Sequence, residues 1–190
     1  MRKLLTQTAA TGVVAVAILV SGSAAALKSD ESIQATRDRV ASAFVALRTG
    51  DHERFLALRS SVNGHLLTGY LDFESLRARF SSVANSTVEQ FLDAHKGEVV
   101  ARRLRHYYVR RLGKQQKWAA FLKHFQGSSD PGIQCQHATA LWAQGRVAQA
   151  TALSIKLWTQ GRSQPPSCDA PFEALRRAGQ LTPPLIAKRF

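Results

Sequence analysis

The chain has little that would commit it to metal, redox or sheet chemistry. It holds two cysteines in 190 residues, Cys135 and Cys168, and they form no C-x-x-C. The nearest approach to a ligand pair is Cys135-x-His137, and no further ligand follows at zinc spacing. No metal site and no cofactor is therefore expected. Acidic residues are scarce too, 13 Asp and Glu against 26 Lys and Arg. No run alternates apolar and polar positions with β-branched residues, which argues against a sheet. After residue 26 no apolar run approaches the ~20 residues that span a bilayer.

What is present begins with a leader. Arg2 and Lys3 give a positive start, Ala9 to Val20 is apolar, and Ser21 to Ala26 supplies small residues ending in Ala24-Ala25-Ala26. This is the pattern of a secretory signal peptide over residues 1–26. The alternative, an uncleaved anchor, is disfavoured because the run is short of a span. Cleavage would lower the formal charge of +13 by Arg2 and Lys3, to +11. An exported, strongly basic chain is directed away from nucleic acid. Its expected partners are anionic lipid, cell-wall carboxylates or an acidic protein. An even cysteine count in an exported chain points to one disulfide, Cys135 to Cys168, with two buried thiols as the alternative.

The rest reads as helices joined by short turns. Ile33, Val40, Phe44 and Leu47 share a face, and Gly50 ends that helix. Asp51 is a candidate cap for the next helix, which carries Phe55 and Leu58. Phe73, Leu76 and Phe80 form a third stripe. Ser86-x-x-Glu89 has the spacing of a capping box before Val88, Phe91 and Leu92. Ala101, Leu104, Tyr108 and Leu112 form another stripe, ended by Gly113. Trp118, Phe121, Leu122 and Phe125 follow, then a loop over 127–132. Asp169 is a candidate cap for a helix with Pro171 in its first turn, and Thr182-Pro183-Pro184 starts another. Short connections make successive helices antiparallel. Many hairpins in series give an all-α fold, an α-solenoid of short antiparallel hairpins forming a partial superhelix.

One phrase is written twice, Leu141-Trp142-Ala143-Gln144-Gly145-Arg146 and Leu157-Trp158-Thr159-Gln160-Gly161-Arg162. It has the form of a helix end: Leu and Trp bury in the last turn, and Gly takes the left-handed position that a Cβ disfavours. Trp142 and Trp158 then serve packing, with stacking on a sugar as the alternative.

The segment from Cys135 to Leu175 resembles the N-terminal helical superhelix, or U-shaped domain, of the soluble lytic murein transglycosylases. The resemblance rests on Cys135, Gly145, Ala148, Leu157, Trp158, Gly161, Ser163, Pro165, Cys168, Asp169 and Phe172. It extends upstream through "ARRLRHYYVRRLGKQQKW" and "HLLTGYLDFESL", where Leu66 replaces a usual Pro and Phe73 a usual Tyr. It implies a periplasmic location and a role with peptidoglycan. In that family the β-1,4 bond between N-acetylmuramic acid and N-acetylglucosamine is cleaved with formation of a 1,6-anhydro product. One Glu serves as acid and then base, in a lysozyme-like domain near the C-terminus of a longer chain. Glu74-Ser75 imitates the start of that motif, but Leu76-Arg77-Ala78-Arg79-Phe80 follows in place of Gly-Leu-Met-Gln. No catalytic residue is carried over. Residues 27–190 are expected to be the first portion of the superhelical domain, truncated before any catalytic domain. The expected role is structural or glycan-guiding. The alternative is a stand-alone periplasmic module that binds peptidoglycan or a partner protein.

The charge has a centre. Residues Arg102 to Lys117 include seven Lys or Arg and no acid. At ~100° per residue, Arg103, His106 and Arg110 lie opposite the apolar stripe, with Lys114 just beyond Gly113. Arg105 and Arg111 flank the seam, where their stems can cover apolar surface. Arg103, His106, Arg110 and Lys114 are the expected contacts to an anionic glycan, with a merely solvated helix face as the alternative.

Overall fold

A computed structural model describes residues 21–160 and 163–189, with side chains from Ser32 onward. Residues 1–20 of the expected signal peptide lie outside the described residues. Among the described residues there are ten α-helices, one short 3-10 turn and no strand. The chain divides into two compact units, residues 1–71 and 72–190.

The first unit is built on α1 (Ser21–Thr49) and α2 (His52–Ser60). Helix α1 thus starts inside the small-residue segment before the expected cleavage point. Gly50 ends it at φ 76°, and Asp51 then accepts from the Arg54 amide through Oδ1 at 3.1 Å. That cap satisfies one of the amides that a helix start leaves open. The core collects Val40, Ala43, Ala46, Phe55, Val62 and Leu71, with Phe44, Leu47 and Leu58 against it. Ile33, expected on the inner face, is 46% exposed instead. On α1 this core is lined by Val40, Ala43 and Ala46, with Phe44 and Leu47 at its edge.

The second unit contains α4 (Asn85–Ala94), α5 (Val99–Lys114), α6 (Trp118–His124), α7 (Pro131–Ala143), α8 (Val147–Trp158), α9 (Asp169–Arg177) and α10 (Pro183–Ala187). Helix α3 (Thr68–Ala78) contributes Leu71 to the first unit and buries Phe73 and Leu76 in the second. Tyr108, Phe121, Leu104, Leu112, Leu157 and Leu175 are fully buried. Each large apolar side chain so buried contributes roughly 1.5–3 kcal/mol.

The repeated phrase does end a helix. Gly145 stands at φ 69°, its amide donates to Trp142 O, and the Arg146 amide donates to Leu141 O. These two crossed bonds are the Schellman closure. Three residues link α7 to α8, which returns against it and ends at Trp158, inside the second copy of the phrase. Gly161 and Arg162 lie outside the described residues. Trp142 donates from Nε1 to Ser154 Oγ at 3.1 Å, and Trp158 to Leu185 O at 3.2 Å. Both indoles are half-buried packing residues with their one donor satisfied. Cys135 and Cys168 are joined in a disulfide with Cα atoms 4.8 Å apart. They form a core with Ala138, Leu157 and Phe172.

Four local readings are corrected. Gly113 does not stop α5. It lies inside the helix, buried, where a Cβ would clash with Gln136 of α7. The stop falls at Gln116, at φ 54°, with Gln116 and Lys117 amides closing onto Gly113 O and Leu112 O. Ser86 and Glu89 form no capping box. Ala84 precedes the first turn of α4, and no side chain caps it. Asp169 is inside the first turn of α9 and not before it, because the 3-10 turn Pro166–Cys168 runs straight into the helix. The loop over 127–132 ends early: Asp130 accepts from the Gly132 and Ile133 amides, and Pro131 opens α7.

Candidate functional site

Helix α5 sets the site. Val100, Ala101, Leu104, Tyr108, Val109, Leu112 and Gly113 are buried, which fixes its rotation and turns Arg103, His106, Arg110 and Lys114 to the surface. The four do not form one pocket. Arg103 and His106 line a groove of about 340 Å³ with Phe73, Glu74, Arg77 and Tyr107. Arg110 and Lys114 line a second, of about 450 Å³, beside Asp130, Gln136 and Ser167. His106 also borders a third of about 250 Å³, with Arg102, Arg105 and His124.

The cations differ in freedom. Arg110 is paired with Asp130, Nη1 to Oδ2 at 3.2 Å, and Arg105 donates to Gln126 Oε1 at 2.8 Å. Arg102 donates to Gly97 O. Among the described residues, Arg103 and Lys114 face no carboxylate partner. They are the free charges of the face.

Arg111, expected at the edge of the seam, is driven into the structure. Its guanidinium donates to Phe80 O at 2.8 Å, Val83 O at 2.9 Å and Asn85 Oδ1 at 2.6 Å. It also stands 4.4 Å over the Phe80 ring. Burial pulls its pKa down. This arginine is structural: it ties the segment before α4 to α5.

A second polar cluster was not legible as a site. Tyr108 donates to Glu89 Oε1 at 3.0 Å, His124 Nε2 lies 3.4 Å from the same oxygen, and Lys123 Nζ lies 3.8 Å from Oε2. The hydrogen bond from Tyr108 holds the Glu89 carboxyl below the usual range. Burial pushes the Tyr108 phenol up to about 12 and the His124 imidazole down. Glu89 is thereby kept ionised, the wrong state for a general acid. The signal for this cluster was one polar residue in each of three helical stripes, a pattern that does not reveal their meeting.

Glu74 is held by Arg77, with both Nε and Nη2 at 2.7 Å from Oε2, an i,i+3 pair on α3. No group of three or more His, Cys, Asp or Glu stands ready for a metal among the described residues. Likewise, none of the described helices is long and apolar enough to cross a membrane.

Comparison with known proteins places this architecture. No protein-family model matches the chain. The soluble lytic murein transglycosylase of Salmonella typhimurium is 25% identical over 156 residues, which is 80% of this chain and 24% of that one. The Escherichia coli K12 protein of the same name is 28% identical over 117 residues, 60% of this chain and 18% of that one. Among solved structures, the lytic transglycosylase Slt of Pseudomonas aeruginosa, an inactive mutant, superposes with TM-score 0.68 and 29% identity. It is matched over 80% of this chain and 25% of its own. The 70-kDa soluble lytic transglycosylase of Escherichia coli gives TM-score 0.72 at 23% identity, and covers 82% of this chain and 25% of its own. A structure of a 70-kDa soluble lytic transglycosylase with bulgecin A gives TM-score 0.73. The chain thus spans about a quarter or less of the length of the relatives it matches. Its all-α fold is that of these neighbours, and over about 80% of its length the chain is related to the soluble lytic murein transglycosylases.

Proposed function

We propose that residues 27–190 are a helical-superhelix segment of a periplasmic peptidoglycan-processing protein, which guides glycan and performs no bond cleavage by itself. The observation that carries this reading is the α5 face. A rotation fixed by buried Leu104, Tyr108 and Leu112 exposes Arg103, Arg110 and Lys114 along one side. Peptidoglycan stem peptides carry free carboxylates, so a spaced row of cations suits an extended anionic polymer. Each exposed pair is worth ~0–1 kcal/mol, and several together hold such a polymer weakly. Two carboxylates support the reading without bond cleavage. Glu74 is engaged by Arg77, and Glu89 is kept ionised by Tyr108.

The test is sedimentation with purified sacculi at low and high salt. Binding should fall as salt rises, and replacing Arg103, Arg110 and Lys114 together with Gln should weaken pelleting. Equal pelleting of the triple variant would sink the reading. The protein should also release no 1,6-anhydromuropeptides, and release that vanishes in Glu74→Gln would make Glu74 catalytic after all.

A further inference from the structure

The groove between α3 and α5 has a composition the rest of the basic face lacks. Tyr107 is 43% exposed although its ring is braced on two sides, by Phe73 with centroids 6.5 Å apart and by Phe80 at 6.2 Å. An aromatic ring held in place and still half open is a preorganised stacking surface. Its π face is electron-rich, and the C–H groups on one face of a pyranose carry the complementary polarity. Arg103 is one helical turn before Tyr107, at i,i+4, and therefore beside it on the same face. It is one of the two free cations described above. Across the groove both Arg77 contacts fall on Glu74 Oε2, which leaves Oε1 open as an acceptor for a hydroxyl or amide N–H. The groove measures about 340 Å³. That lies at the small end of ligand sites, which run ~300–1,000 Å³, and suits one or two sugar rings.

We infer that Tyr107, Arg103 and Glu74 form a subsite for a single N-acetylmuramic acid unit of the glycan. The sugar face stacks on Tyr107, its lactyl or peptidyl carboxylate meets the Arg103 guanidinium, and a hydroxyl or acetamido N–H donates to Glu74 Oε1. This rests on the peptidoglycan reading above and sharpens it. The row of cations alone asks only for negative charge, whereas this groove asks for a ring and a carboxylate together. Arg110 and Lys114 line a different groove and are not part of it.

The experiment is an NMR titration of the whole protein with two soluble probes. One is the disaccharide N-acetylglucosaminyl-N-acetylmuramic acid, and the other is its uncharged counterpart, di-N-acetylchitobiose. The charged disaccharide should shift the Tyr107 ring and Arg103 side-chain resonances. It should bind about fivefold more tightly than chitobiose, the upper end for one exposed ion pair at about 1 kcal/mol. Arg103→Gln should bring the two ligands to the same affinity. Tyr107→Leu keeps apolar bulk against Phe73 and Phe80 and should abolish binding of both, while Lys156→Gln on α8, which does not line the groove, should change neither. Unaltered affinity in Tyr107→Leu, or a fivefold preference that survives Arg103→Gln, would overturn the subsite. Sacculus pelleting by the unaltered protein separates the two ideas. Salt-sensitive pelleting without any disaccharide binding removes the subsite and leaves glycan guiding intact. Absence of both pelleting and disaccharide binding removes both.

Discussion

The two units of the chain are held together by different means. In the first, residues 1–71, most of the described polar side-chain bonds reach no further than six residues, as in Asp51 to Arg54 and Thr68 to Val62. A longer contact runs from Arg39 to Ser61 O at 3.5 Å. Its cohesion comes from apolar packing of Phe55 and Leu58 of α2 with Val40, Ala43 and Ala46 of α1. In the second, residues 72–190, ties span the sequence: Cys135 to Cys168, Arg111 to Phe80, Val83 and Asn85, and Tyr108 to Glu89. A unit built on local bonds and one modest core opens more easily than one stitched by distant ones. The contrast can be broken or sharpened by substitutions that act on one unit at a time.

The largest effect is expected from Phe55→Ala. Phe55 is 2% exposed in a small core and anchors α2, so its loss should cost about 3–5 kcal/mol. Native-state hydrogen exchange should show α1 and α2 losing protection while α5 to α9 keep theirs. Loss of protection throughout would mean that the units do not open separately.

Removing the disulfide as the double variant Cys135→Ala, Cys168→Ala comes next. The bond closes 33 residues, and the chain-entropy model gives about 3–4 kcal/mol. Denaturant unfolding should shift for the second unit alone. Mass analysis before reduction should detect no thiol open to alkylation in the wild-type protein, and two alkylatable thiols would disprove the bond.

Arg111→Met should cost about 2–3 kcal/mol, since two backbone carbonyls and Asn85 lose their donor in a half-buried place. Arg111→Lys should recover only part, because an ammonium cannot present the planar fork that reaches all three acceptors. Complete recovery by lysine would show that charge alone matters there.

The smallest effect is the pH dependence. His124 is lowered by burial, so the unfolded chain takes up its proton first as pH falls below 6.5. The second unit should therefore lose stability as pH drops from 6.5 towards the lower folded value. His137, also lowered by burial, acts in the same direction. At the other end Tyr108 is raised from 10 to about 12, so stability present below pH 10 should fade as pH rises towards 12. Thermal melts of His124→Gln should show a shallower acid loss, and those of Tyr108→Phe a flatter alkaline limb. Slopes identical to wild type would remove these groups from the account.

Helices, their inner stripes and several of their ends were determined locally and could be read. Leu104, Tyr108 and Leu112 bury as their spacing requires, Gly50 and Gly145 adopt the left-handed geometry that glycine permits, and Asp51 caps α2. The stripe also sufficed to turn Arg103, His106, Arg110 and Lys114 outward, because a helix with one buried face has only one rotation. Whatever depended on a residue from another helix was decided by tertiary structure. Gly113 looks like a stop until Gln136 of α7 fills the space beside it, and Glu89 looks like a capping residue until Tyr108 and His124 arrive from α5 and α6. Arg111 becomes a buried tie only once Phe80, Val83 and Asn85 are beside it. The division of the basic face into separate grooves likewise came from α3 and α7 packing along α5. Spacing in a sequence encodes which way a side chain points from its own helix, since 3.6 residues per turn is a local property. It does not encode what that side chain will meet, which depends on long-range packing that no single segment carries.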